Sequence, residues 1–268
     1  MTRVHQHRTL TLLAFVAAAL VALGVAPLVG PKFISPLVLV QDAGGTEAGI
    51  LTRIRMPRIA TAFLAGGALS LSGMAFQAMF RNPLATPYTL GVASGASLGA
   101  AVYIRMGLAF SLGALSGLTL AGFAGALLSL GIVYGLTRLR GGFSSATLLL
   151  AGVAVSFSFS SLILFIQYIS GLQHSFQIVR RLMGSLDVVG YQAAGNILPF
   201  MLLGVVLLIW LTRDLNLLST GEDLAASRGT EVARIKKLVF AAVSLMVGAV
   251  VAFCGPIGFV GIDRKSVV

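Results

Sequence analysis

Charge is what this 268-residue sequence lacks. Asp, Glu, Lys and Arg make up 10% of it, against 57% hydrophobic residues. An ordinary soluble domain carries charge on about a quarter of its positions, so the chain has too little polar surface to cover a water-facing globule. Cutting it at every charged side chain leaves seven long uncharged runs, 9–31, 59–80, 82–104, 106–137, 141–179, 188–212 and 238–262. About 20 apolar residues cross a bilayer as a helix, and backbone amides in lipid must pair within their own segment. The reading is an all-α, polytopic transmembrane helical bundle with seven spans. Cysteine is nearly absent: Cys254 stands alone, excludes an internal disulfide, and reads as a small apolar packing residue. His5, His7 and His174 are too scattered for a metal centre. No phosphate-binding loop or Ser/His/Asp arrangement occurs either, so no catalytic, cofactor or metal site is expected. None of the seven runs holds Asp, Glu, Lys or Arg. Ion-coupled carriers usually need such a group inside the membrane, which weighs against a secondary transporter. A membrane-embedded enzyme would need a catalytic constellation that the sequence does not offer.

Apolar helices and glycine fill the space that charge leaves. "MTRVHQHR" ahead of the first run resembles the charged start of a secretory signal, but the apolar stretch is too long for one, so an uncleaved first helix is expected. The 32 glycines suit close helix packing in lipid. Spans are expected at about 10–30, 59–80, 88–104, 115–137, 145–170, 196–212 and 238–254. An irregular outer segment precedes the second, and the apolar stretch around 171–191 lies at the membrane surface. The net charge of +11 is scattered between spans rather than massed on a domain, so no nucleic-acid partner is implied. With the N-terminus inside, ten basic residues fall on the cytoplasmic side. Seven fall outside: Lys32, Arg53, Arg55, Arg58, Arg105, Arg180 and Arg181. The positive-inside rule therefore favours a cytoplasmic N-terminus, and leaves Arg53, Arg55 and Arg58 as a cluster against the trend.

The one sizeable polar stretch, "TRDLNLLSTGEDLAASRGTEVARIKK" at 212–237, allows two readings. Ser219 or Thr220 can cap a helix, with Glu222 or Asp223 closing a capping box. Gly229 then suits a helix end, and Thr230 can cap a second helix carrying Arg234, Lys236 and Lys237. That gives two short helices with a glycine corner; the other reading is an ordinary loop between spans.

Residues 55–100 carry a more specific pattern. Arg55, Pro57 and Arg58 form R-x-P-R; Gly73 and Gln77 follow in S-G-x-x-x-Q. Asn82, Pro83, Leu84, Ala85 and Pro87 give N-P-L-A-x-P, and Gly91, Gly95 and Ala96 close the set. In this order the motifs resemble the FecCD-type permeases of bacterial ABC importers, which carry iron–siderophore complexes, haem and cobalamin. Further matches are "LMGSL" at 182–186, Gly221, Glu222, Ala225 and Gly229, and "GPIGFVG" at 255–261.

The resemblance implies an inverted-repeat permease domain over residues 1–262, with 213–237 as a coupling segment docking on a cytoplasmic ATPase through Glu222, Ala225 and Gly229. Arg228 departs from that pattern, where an apolar residue is usual. Arg55 and Arg58 would meet acidic residues of an extracytoplasmic substrate-binding protein, since charge pairing steers a partner and fixes register. Members work as pairs, so a second copy or a paralogue is implied. The fifth span lines the pathway, which makes Ser156, Ser160 and Gln167, on one helical stripe, candidates for contact with cargo. The implied protein is a subunit of the bacterial or archaeal cytoplasmic membrane, not itself an enzyme, importing a metal chelate, iron–siderophore ahead of haem or cobalamin. It binds no cofactor; ATP is used by the partner. Ten spans are expected in such a permease. Gly66/Gly73 and Gly248/Gly255 share a seven-residue spacing, so the seventh span would open a second half. Asp263–Val268 breaks the resemblance and back-translates to a sequence like a library adapter, so it is expected to be a non-native tail.

Overall fold

The computed structural model of the chain describes residues 2–30, 32–38, 45–83, 85–112, 115–139, 145–186 and 188–257. Leu84, Arg140 and the tail 263–268 lie outside them, as does most of "GPIGFVG". The chain divides into two compact units, residues 1–62 with 188–191 and residues 63–187 with 192–268.

The first unit holds helix α1, Thr2–Val25, and the start of a long helix α2, Thr46–Phe80. α2 begins 13 residues ahead of the expected span at 59. Arg53, Arg55 and Arg58 lie ahead of the uncharged run but within the helix. Its turn at Leu51–Arg55 is π-helical, with the Met56 N–H donating to Leu51 O. Pro57 gives the reason. Proline has no N–H for the carbonyl four residues back, so Arg53 O is released and accepts instead from Gly190 N at 2.8 Å.

In the second unit α2 leads through a 3-10 turn, Pro87–Leu90, to α3, Val92–Arg105. A two-residue pairing of Ser111–Leu112 with Leu115–Ser116 precedes α4, Gly117–Leu139. Then come α5, Ser145–Ile169, the short α6, Leu172–Leu182, and α7, Gln192–Trp210. Three further helices follow: α8, Thr212–Thr220, α9, Glu222–Ser227, and α10, Val232–Cys254. α6 is amphipathic; it buries Ile178 and leaves Leu172 and Phe176 exposed.

All seven uncharged runs contain a helix, but among the described residues five rather than seven helices are long and apolar enough to cross a membrane: Thr46–Phe80, Gly117–Leu139, Ser145–Ile169, Gln192–Trp210 and Val232–Cys254. In α1 the apolar part is Thr9–Val25, a shorter stretch. α3 has 14 residues, a rise of about 21 Å, short of a hydrocarbon core of about 30 Å. The expected span there starts at 88, but 87–90 winds as 3-10 helix and Gly91, at φ 81°, breaks the axis.

α10 is the centre of the second unit, packing on α7, α4 and α3. Phe76 of α2 stacks on its Phe240 with ring centroids 6.0 Å apart. α3 and α4 approach backbone to backbone. A Cβ on Gly99 would lie 2.1 Å from Ala121 O, and one on Gly125 would lie 2.2 Å from Gly95 O. Small residues let membrane helices meet this closely, where van der Waals contact must replace the hydrophobic effect.

Candidate functional site

The motif residues between α2 and α3 build a turn. Gln77, buried in the last turn of α2, donates from Nε2 to Pro83 O at 3.1 Å. Asn82 O accepts from Ala85 N at 3.1 Å, and the buried Pro87 opens the 3-10 turn with its φ already set. Gly91 O then accepts from Ser129 Oγ of α4 at 2.7 Å and from Ser94 Oγ at 3.0 Å. The N-P-L-A-x-P motif is thus a sidechain-braced corner that fixes where α3 starts.

A cavity of roughly 300 Å³ opens between α3, α5 and the 3-10 turn. Its polar lining is Tyr88, Ser94, Ser97, Ser160 and Gln167, and Leu182 and Pro256 also border it. Ser160 and Gln167 therefore share one cavity, as their spacing suggests. Ser156 does not: its Oγ is buried and makes no hydrogen bond among the described residues. Sequence reasoning missed Ser94 and Ser97 of α3. Their hydroxyl protons go to Gly91 O and Ala93 O, which leaves oxygen lone pairs as acceptors. The lining carries no charged side chain: hydroxyl and amide groups stand in an otherwise apolar wall that includes Ile163 and Leu164, so the cavity can hydrogen-bond a solute without holding it as an ion pair would.

The polar stretch 212–237 is partly helical, with corrections to the expected caps. Ser219 and Thr220 cap nothing: their hydroxyls donate back to Asn216 O and Leu217 O inside α8. Gly221, at φ 149° and ψ 146°, separates α8 from α9 and is the N-cap without a side-chain bond. Gly229 does end a helix. It sits at φ 85°, Thr230 N donates to Ala225 O and Gly229 N to Ala226 O, the paired bonds of a Schellman stop. Thr230 is not a cap either, since its hydroxyl donates to Asp214 at 3.2 Å. The second helix is no short one: it is α10 itself, running on to Cys254.

Lys236 is the larger surprise. Expected on a water-facing helix, it is fully buried, with Nζ 2.7 Å from Glu222 Oε2. The other Glu222 oxygen accepts from Ser145 Oγ of α5 at 2.9 Å. Burial alone would raise the Glu222 carboxyl. The hydrogen bonds from Lys236 and Ser145, with the charges of Lys236 and Arg81, outweigh it and hold the group below its ordinary value. Arg81 follows α2 at φ 51°. Ala225 is fully buried, while Asp223, Leu224 and Arg228 are exposed. The segment thus presents a short, firmly anchored helix. Its signal in the sequence was faint, a Lys two residues ahead of an uncharged run and 14 residues after a Glu.

In the first unit Arg55 is occupied. It donates to Pro27 O at 3.0 Å, Leu28 O at 3.2 Å and Lys32 O at 2.6 Å, tying the end of α1 to α2, beside an ion pair of Lys32 with Glu47. Arg58 is half-buried and partnered, and Arg53 is exposed. Among the described residues no three of His, Cys, Asp and Glu come together to ligate a metal.

This arrangement has relatives. The sequence model of the FecCD transport family matches residues 7–263. The uncharacterized ABC transporter permease protein YvrB of Bacillus subtilis is 42% identical over 216 residues, covering 80% of this chain and 60% of its own length. The cobalamin import system permease protein BtuC of Halobacterium salinarum is 36% identical over 217 residues, covering 81% of this chain and 58% of its own. The chain therefore spans about three-fifths of the length of these curated relatives. Among solved structures, a chain described as a metal-chelate type ABC transporter in an inward-facing conformation superposes with a TM-score of 0.79. It is 31% identical and covers 94% of this chain and 77% of that one. Motifs, helical architecture and relatives agree: this chain belongs to the FecCD transport family.

Proposed function

We propose that the chain is the membrane-spanning part of an ATP-driven importer that carries a metal chelate, iron–siderophore first and haem or cobalamin as the alternatives, across a bacterial or archaeal cytoplasmic membrane with its N-terminus inside. The observation that carries the reading is the anchored helix at 222–227. It is braced by Glu222–Lys236 and Glu222–Ser145, stopped by Gly229, and exposes Leu224 and Arg228. A connecting loop needs no buried ion pair; a lever that must transmit force does. On this reading ATP binding closes a pair of separate ATPase subunits, α9 moves with them, and the pathway changes the side to which it opens. Hydrolysis belongs to those subunits, and this chain supplies no catalytic group and holds no cofactor.

The polar cavity supports the same reading. At roughly 300 Å³ it sits at the lower end of small-molecule pockets, too small to enclose a large chelate, so a second copy or paralogue would complete the passage. Arg58, with Arg55 behind it, would face the acidic residues of an extracytoplasmic binding protein. A secondary transporter has weaker support, because the uncharged runs offer no ionisable group for coupling. Co-purification decides between the two. A co-expressed ATPase subunit of a FecCD-type importer should be retained by the tagged wild type and lost with Gly229→Val; a wild type that holds no ATPase overturns the proposal.

A further inference from the structure

We infer that Arg181 is a positioning residue that clamps the C-terminal end of α10 to the surface helix α6 and so fixes the wall at one end of the polar cavity. A helix leaves its last four carbonyls unpaired, and the negative end of its dipole favours a cation. At the end of α10 one neighbouring segment meets three of these carbonyls in succession. The Arg181 guanidinium donates to Ala252 O, and through Nη1 to Phe253 O at 3.2 Å. Ser185 N donates to Cys254 O at 2.7 Å. The two backbones interlock through Gly184 and Gly255, both left-handed at φ 67° and 75°. A Cβ on Gly184 would stand 2.5 Å from Pro256 O, and one on Gly255 would stand 2.8 Å from Arg181 O. This explains why the motifs "LMGSL" and "GPIGFVG" each carry a glycine there, 71 positions apart.

The consequence lies in what the clamp borders. Leu182 follows Arg181 directly and Pro256 follows Gly255, and both line the cavity that holds Ser160 and Gln167. The other end of α10 carries Lys236, ion-paired to Glu222. Its 23 residues rise about 34 Å, so a single helix has the coupling ion pair near one end and the cavity wall at the other. A displacement at Lys236 reaches Pro256 through no intermediate element. That consequence rests on the permease reading; the clamp itself does not.

Cys254 makes the clamp measurable, since it is the sole cysteine and is 1% exposed. The experiment follows maleimide modification of Cys254 in the full chain in nanodiscs. Losing both charge-assisted bonds should raise the rate in Arg181→Gln by at least about tenfold, with Arg181→Lys between it and wild type and exposed Gln173→Ala unchanged. Gly184→Ser, which wedges the interlock without touching the guanidinium, should also accelerate labelling and covers the case in which Arg181→Gln does not assemble. Wild-type rates in both Arg181→Gln and Gly184→Ser overturn the clamp. In the importer reconstituted with its ATPase and binding protein, Arg181→Gln should lower cargo moved per ATP while basal hydrolysis stays unchanged. Unchanged cargo per ATP overturns the positioning role. If no ATPase associates with wild type, the permease reading fails, while the Cys254 rates still decide the clamp.

Discussion

Replacing Glu222 by Gln should destabilise the chain far more than replacing its partner Lys236 by Met. The asymmetry comes from burial. Lys236 has no exposed side-chain surface, whereas Glu222 retains 31%. Taking away the carboxylate charge strands an ammonium in the interior, and breaking a buried pair from one side costs about 3–5 kcal/mol. Glu222 being partly solvated, the lower end applies, about 3 kcal/mol. Taking away the lysine leaves a carboxylate that still accepts from Ser145, has Arg81 nearby and meets water. A loss of about 1 kcal/mol is then expected, the scale of an exposed pair. The double variant Glu222→Gln/Lys236→Met removes the stranded charge and should recover most of the loss, an interaction energy that a double-mutant cycle isolates. The assay is thermal melting followed by a thiol-reactive dye, with buried Cys254 as the reporter. At about 2–4 °C per kcal/mol, Glu222→Gln should melt about 6–12 °C below wild type, and the double variant within about 4 °C of it. A Glu222→Gln variant melting with wild type, or a double variant as unstable as Glu222→Gln, refutes the reasoning. Acid offers a second check. The Glu222 carboxyl is held below its ordinary value when folded, so its contribution is complete above the unfolded value of about 4.3. It is lost as pH falls below that, through the folded value. Wild type should therefore lose more of its melting temperature below about pH 4 than Glu222→Gln does.

Four further outcomes are expected. Gly229→Val forces a β-branched residue to φ 85°, at about 1–3 kcal/mol of strain, while a Cβ there meets nothing within 4 Å. ATPase retention should fall while membrane insertion holds, and Gly229→Asn should lose much less. Gly125→Ala must push α4 from α3 and should cost about 1–3 kcal/mol. Gly131→Ala on the same helix, where a Cβ has open space, should melt within a few degrees of wild type, about 1 kcal/mol or less. Arg55→Gln removes the donor to three backbone carbonyls and should lower the melting temperature. Arg58→Glu should chiefly weaken binding-protein docking in nanodiscs, and equal docking by Arg58→Glu and wild type removes Arg58 from that surface.

How far the sequence led depends on the physics behind each feature. Helices in lipid follow from a shortage of charge, so every uncharged run holds one. Where a helix stops depends on local backbone chemistry that hydropathy ignores. Pro57 turned a boundary drawn at Arg58 into a π-turn inside a longer helix, and Gly91 shortened α3 from the expected 88–104. Gly229 was legible as a stop because a left-handed residue at a helix end is nearly a glycine property. The caps at Ser219, Thr220 and Thr230 were not, because each hydroxyl had a second acceptor, in the preceding turn or on Asp214, and only packing chooses between them. Ser160 and Gln167 share a cavity because seven residues return to the same helical face, yet Ser156 obeys the same spacing and turns away into a packed contact. Lys236 and Arg181 escaped notice for one reason. Each looks like an ordinary interfacial cation, and its importance comes from partners far along the chain, Glu222 in one case and the carbonyls of 252 and 253 in the other. Both lie at the ends of α10, the most buried of the five membrane-length helices. In a chain so poor in charge, a cation drawn wholly or partly out of water onto groups distant in sequence marks where helices hold one another in register, and here those places are the two ends of a single helix.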